Sequence, residues 1–158
     1  MKKFSVLRLI AAAVAIPAIG LATASPASAD GNVSWENKGS AGCLQGVPNN
    51  YVGMEPCGNL HTHWHDVQLG DTNWIEYLLD GDGKWTGQCL DSNTYGSVYV
   101  GPCDSPSKNN LYQRWSEEKW SGGWVLKNVA TGRCLAVYYD FSVQTLPCNA
   151  DIDSKYWK

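Results

Sequence analysis

Phenylalanine and methionine are scarce, with two of each in 158 residues, and the three histidines fall within five positions. Aromatic weight rests instead on eight Trp and eight Tyr, residues whose polar edge suits both cores and stacking platforms. Positive charge is also thin. Three of the 12 basic residues, Lys2, Lys3 and Arg8, stand at the extreme N-terminus, so beyond residue 29 nine basic residues face 15 acidic ones, a net charge of −6. A chain of that sign has no electrostatic attraction to nucleic acid or anionic lipid, and neither nucleic acid nor membrane is expected as a partner. No segment sustains a helical period, and no low-complexity linker divides the chain. There is no Gly-x-Ser-x-Gly nucleophile elbow. No pair among the acidic residues is singled out for acid–base work on a glycosidic bond. Without a constellation the chain is expected not to be an enzyme and to need no cofactor.

The longest apolar run, Leu9 to Ala22, follows the basic start and precedes Ala27-Ser28-Ala29, a small-x-small cleavage pattern. That order reads as a secretory signal peptide over residues 1–29. The run is shorter than the roughly 20 apolar residues of a spanning helix. No Cys adjoins the cleavage site and no apolar tail ends the chain, so neither suggests an anchor. The expected product is one domain, residues 30–158, secreted to the extracellular space.

Six cysteines then carry the main signal. Cys43 and Cys57 are 14 apart, as are Cys89 and Cys103, and Cys134 and Cys148. Leu follows the first member of each pair (Leu44, Leu90, Leu135), and Pro precedes the second (Pro56, Pro102, Pro147). One unit of ~45 residues is written three times. Six cysteines allow 15 pairings, but a repeat solves the same problem locally each time, which selects Cys43–Cys57, Cys89–Cys103 and Cys134–Cys148. Disulfides fit an exported chain. Zinc, the rival use, needs paired close spacings that no unit has.

Aligned on the cysteines, Asn37 and Asn128 both stand six residues before the first Cys. The second unit reaches its Cys through a longer route that contains Asp80-Gly81-Asp82-Gly83. That segment lacks the spacing of a calcium loop and reads as a turn. Alternating strands follow at Val52–Glu55, Val98–Gly101 and Val143–Leu146, with the three valines on one face and Gly53, Tyr99 and Gln144 on the other. Each unit ends on a Trp: Trp64, Trp115 and Trp157. Four short strands per unit, three units and no self-sufficient core in any one of them predict an all-β, closed threefold structure.

The Gly-x-Cys-Leu entry (Gly87-Gln88-Cys89-Leu90 and Gly132-Arg133-Cys134-Leu135), the paired Cys and the Gln113-Arg114-Trp115 exit resemble the ricin B-type lectin domain. The resemblance extends over residues ~33 to 158 by repeat alignment. It implies a β-trefoil, with one internal disulfide per repeat, that binds carbohydrate. It also implies site positions: an Asp after Cys-Leu as acceptor, an aromatic two before the second Cys as stacking ring, an Asn beside the Gln. The first repeat has Gln45 and Glu55 there and has lost Gln-x-Trp. The third has Ala136, Leu146 and Lys155. Only the second keeps Asp91 and Gln113. Gly101 holds its ring position and Tyr112 the Asn position, so Tyr99, or else Tyr95, is expected as platform, and Asn110 or Asn109 as polar contact. Trp115 is expected in the core. The sugar site is therefore assigned to Asp91, Tyr99, Asn110 and Gln113, for a polysaccharide or glycoprotein glycan. The alternative is a protein-binding trefoil with decayed sugar sites, an accessory or targeting subunit of a secreted enzyme or toxin.

The segment His61-Thr62-His63-Trp64-His65 would align three imidazoles on one face if it were a strand. Positions i and i+2 rarely converge on one metal, so a polar surface stretch is expected, and no metal site.

Overall fold

The computed structural model describes residues 30–70 and 72–158; the signal peptide expected over 1–29 lies outside the described residues. Eleven strands are formed: β1 (Gly31–Val33), β2 (Cys43–Gly46), β3 (Val52–Glu55), β4 (Trp64–Leu69), β5 (Asn73–Leu79), β6 (Trp85–Ser92), β7 (Val98–Pro102), β8 (Trp115–Trp120), β9 (Gly123–Asn128), β10 (Cys134–Val137) and β11 (Val143–Leu146). Short 3-10 helices occupy Pro106–Lys108, Leu111–Gln113 and Asp153–Lys155.

The strands sort into a barrel and a cap. β1, β4, β5, β8 and β9 pair antiparallel in that order. The ring is closed by the chain end, because Trp157 bridges both Trp124 and Asn37. The fourth strand of the third repeat is thus reduced to a bridge, sealed by the Glu36–Lys158 backbone pair at 3.0 and 2.9 Å. Hairpins β2–β3, β6–β7 and β10–β11 form the cap. They meet through bridges from Tyr51 to Tyr99 and from Ser97 to Gln144. Six barrel strands and three hairpins around a pseudo-threefold axis make a β-trefoil.

The repeat explains the packing. Leu44, Leu90 and Leu135, then Val52, Val98 and Val143, then Trp64, Trp115 and Trp157 all belong to one buried cluster. Each tryptophan donates its indole N–H to the carbonyl of the leucine after its repeat's first Cys: Trp64 to Leu44 at 3.0 Å, Trp115 to Leu90 and Trp157 to Leu135 at 3.2 Å. A buried indole needs such a partner. The disulfides are Cys43–Cys57, Cys89–Cys103 and Cys134–Cys148, with Cα–Cα distances of 4.9, 5.1 and 5.0 Å. Each ties the start of one hairpin strand to the residues just beyond the other.

Asn37 and Asn128, aligned by sequence, do the same work. Both are buried. Each Oδ1 accepts backbone N–H groups of its own turn, and each Nδ2 donates to a 3-10 carbonyl of the preceding repeat around the axis, Ser154 and Tyr112 respectively, at 2.8 Å. They staple repeat to repeat. Asp80 shapes the β5–β6 turn, with Oδ1 accepting from Asp82 N and Lys84 N at 2.9 Å. Gly83 there takes a φ of 74°, which favours glycine.

One interior layer is not apolar. Asp66, Glu76 and Glu117 lie two residues along their strands from Trp64, Leu78 and Trp115, on the same inward-facing side. Asp66 and Glu76 are fully buried. Glu76 Oε2 accepts from the Trp35 indole at 3.0 Å, and Asp66 Oδ1 from Gly31 N at 2.8 Å. Among the described residues, Asp66 Oδ2, Glu76 Oε1 and Glu117 Oε1 find no conventional partner. Burial, then the neighbouring Glu117, pushes the Glu76 carboxyl well above the ordinary Glu range. Burial raises Glu117 to about 7. Desolvation is the common cause, since the charged form loses most by leaving water.

Candidate functional site

The second repeat brings three of the four assigned residues together. β6 and β7 place Asp91 opposite Tyr99. Asp91 is only 7% exposed, so its carboxylate is largely withdrawn from solvent. Its Oδ1 accepts from Ser92 N at 2.7 Å and its Oδ2 from Gln113 Nε2 at 3.0 Å. A carboxylate has about four lone-pair directions, so acceptor capacity remains. Burial holds the Asp91 carboxyl above the usual Asp range, against the opposing pull of the Gln113 and Ser92 donors.

Gln113 is buried and does not face solvent. Besides Asp91, its Nε2 donates to Pro102 O at 2.9 Å, and its Oε1 accepts from Asp104 N at 2.8 Å. It braces the loop after β7 and holds Asp91 Oδ2. Trp115, two residues on, is fully buried, as expected of a core residue.

Tyr99 lies against Gly101. A Cβ placed on Gly101 would lie 3.6 Å from Tyr99 Cε2 and 4.0 Å from Asp91 Oδ2. The ring therefore leans over the glycine, beside the carboxylate, and covers the position where the resemblance calls for an aromatic. Its hydroxyl donates to Ser92 O at 3.2 Å. Burial, then the nearby Asp91 charge, raises the Tyr99 phenol. Tyr95, the other platform candidate, stands at the hairpin tip, 90% exposed.

Asn110 is engaged internally. Its Oδ1 accepts from Tyr112 N at 3.1 Å, capping the 3-10 helix, and its Nδ2 donates to Asp104 Oδ2 at 3.0 Å. Asn109 takes a left-handed φ of 54° at the end of the preceding turn. Sequence reasoning missed Asp104. It follows Cys103 directly and pairs with Lys108 at 2.8 Å. The Lys108 and Asn110 hydrogen bonds hold its carboxyl below the usual range. No motif position marks it.

The equivalent surfaces of the other repeats differ in chemistry. In the first, Gln45 is buried and Gly53 lies under the Tyr51 ring, 3.3 Å from Cε2 to a Cβ placed on the glycine. In the third, Ala136 is buried, and Lys155 Nζ donates to the carbonyls of Cys148 and Ala150. Lys155 thus braces its loop as Gln113 does.

The histidines do not share a strand face, because β4 begins only at Trp64. His63 Nδ1 lies 3.3 Å from Ser34 Oγ, and His65 Nδ1 lies 2.8 Å from Asn32 Oδ1. Among the described residues no group of three or more His, Cys, Asp or Glu is placed to hold a metal ion. Asp66 and Glu76 stand opposite one another across β4 and β5, and both are buried.

No protein-family model matches the sequence, and no curated protein matches it. Solved structures do match in fold. ThreeFoil, a designed threefold-symmetric protein, is 19% identical with a TM-score of 0.65, over 82% of this chain and 97% of that one. A chain of the cytolethal distending toxin from Actinobacillus actinomycetemcomitans is 15% identical with a TM-score of 0.62, over 84% and 92%. The Polyporus squamosus lectin, solved with the epitope Neu5Acα2-6Galβ1-4GlcNAc, is 14% identical with a TM-score of 0.66; 82% of this chain matches 48% of that one, so the match spans about half the lectin.

Proposed function

We propose that this protein is an exported, non-catalytic carbohydrate-binding module whose sugar site is the Asp91–Tyr99 pair of the second repeat. The observation that carries the reading is the Tyr99 ring lying over Gly101 beside an Asp91 carboxylate aimed by Gln113. A ring face meets the apolar side of a pyranose, and a carboxylate is a strong, charge-assisted acceptor for its hydroxyls. The likeness in fold to a glycan-bound lectin supports the same class. Asp91 and Tyr99 contact the sugar, Gln113 positions Asp91, and Asn110 acts through Asp104 and the loop.

A shallow site of one ring and few hydrogen bonds has millimolar to high-micromolar affinity, about 4–6 kcal/mol in all. A hydrogen bond to a charged group contributes roughly 1–3 kcal/mol of that. Asp91→Ala should therefore weaken binding by roughly ten- to a hundredfold, with the fold intact. Glycan-array screening followed by NMR titration tests this. Shifts confined to the first or third repeat, or no shift with any sugar at high millimolar concentration, would refute the assignment. The accessory-subunit reading draws on a different observation, the apolar surface of the third repeat, and on the toxin chains that share the fold.

A further inference from the structure

The third repeat places aromatic side chains in solvent at the tip of its β10–β11 hairpin. Tyr139 is 90% exposed and Phe141 61%, and the Tyr138 and Tyr139 rings lie 5.2 Å apart. They form one wall of a cleft of about 840 Å³. Leu146, Ala150, Ile152 and, from the first repeat, Gly39–Ala41 also line it. The two positions that would make a sugar site here are Ala136 and Leu146, so no buried acceptor faces a hydroxyl. Exposed aromatics on an apolar cleft mark an interaction surface.

The wall is preorganised. Tyr138 N donates to Ser142 O at 2.8 Å, Phe141 N to Tyr138 O at 2.9 Å, and Asp140 Oδ1 accepts from Ser142 N and Oγ. Phe141 takes a φ of 63°, a conformation that disfavours a bulky side chain. Strain of this kind persists where surrounding structure enforces it, and it clusters at ligand clamps. Here it holds an apolar ring in water, which contributes nothing to the core.

Charge names the occupant. Asp140 stands between Tyr139 and Phe141, Asp151 between Ala150 and Ile152, and Asp153 between Ile152 and Ser154, and all three are exposed. Lys155 is buried and donates to two carbonyls, and Lys38 leans toward Gly123. An apolar cleft with an acidic rim complements a basic segment bearing an apolar anchor.

We propose that this cleft is a docking site for a protein segment in which an aromatic or aliphatic anchor is flanked by Lys or Arg. The anchor seats between the Phe141 and Ile152 walls, and the basic residues meet Asp140, Asp151 and Asp153. The site is independent of the second repeat and stands whether or not Asp91 binds sugar.

The test is panning of a random linear peptide display library on the immobilised protein, with enriched peptides resynthesised and measured by fluorescence polarisation. Enrichment of apolar anchors flanked by basic residues is expected. Phe141→Gly should weaken these peptides by roughly tenfold or more, as loss of a central anchor does. It should also leave thermal stability equal or higher, because glycine adopts positive φ freely. Tyr139→Ser, at a nearly fully exposed position, gives a second variant that leaves the fold alone. Asp151→Lys with Asp153→Lys should lower affinity and flatten its salt dependence, while Asp91→Ala should change nothing. No enrichment, an acidic consensus, or binding that survives both Phe141→Gly and Tyr139→Ser would overturn the proposal. So would glycan binding lost in Phe141→Gly but kept in Asp91→Ala, or self-association in sedimentation that Tyr139→Ser abolishes.

Discussion

Replacing Glu117 with Gln should change how stability depends on pH more than any surface substitution. Burial raises the Glu117 carboxyl from the ordinary 4.5 to about 7, and it raises Glu76 well above the same starting value. In the folded protein the layer therefore holds protons that the unfolded chain has released. A carboxyl raised in this way stabilises fully below its unfolded value, and the contribution is lost as pH rises through its folded value. Each proton of difference changes stability by about 1.4 kcal/mol per pH unit. From about pH 4.5 to 7 the Glu117 proton alone accounts for roughly 3 kcal/mol, a large share of the 5–15 kcal/mol typical of a domain. Asp104 and Asp140, whose carboxyls are lowered, act at and below the usual Asp value of 3.8, outside that window. Glu117→Gln keeps the shape, supplies an N–H that can donate toward Glu76, and removes one titration. Urea unfolding near pH 5, 6, 7 and 8 should show wild-type stability falling across the series. The variant should fall by about one proton's worth less per unit and overtake the wild type at the alkaline end. Wild-type stability that rises from pH 5 to 7, or a variant with the same slope, would refute the reasoning.

Asn128→Ala should destabilise by roughly 1–3 kcal/mol, the cost of leaving buried partners unpaired, seen as a lower urea midpoint with an unchanged slope. Paired Cys89→Ser and Cys103→Ser substitutions should cost about 3 kcal/mol on the chain-entropy account of a short loop, with faster hydrogen exchange across the β6–β7 hairpin. Mass spectrometry of culture supernatant should find a chain that begins at Asp30; an intact form held in the membrane would contradict export.

The trefoil was legible in the residues themselves because a repeat states its local problem three times. The 14-residue Cys spacing, the leucine after each first Cys and the terminal Trp each recur at positions where strand alternation decides burial, and alternation depends on near neighbours alone. Asn37 and Asn128 could be aligned for the same reason, though not their role as staples. Asp91 and Gln113 were legible as survivors of a motif, and Trp115 as core.

Other features depend on contacts that no local pattern encodes. Trp157 closes the barrel by pairing with Asn37 and Trp124, residues distant in sequence. Tyr99 fills the space over Gly101 because a side chain can lean along its strand into a neighbouring vacancy, whereas alignment compares positions and not where a ring comes to lie. Asn110, assigned as a sugar contact, caps a turn and binds Asp104, a choice set by the fold of the loop. Asp66, Glu76 and Glu117 form one layer only once three strands close around it, and the cleft of the third repeat is completed by residues of the first. Composition and period determined the repeat, its bridges and its inward face. Closure of the ring decided which side chains met across repeats, because those distances exist only in the folded chain.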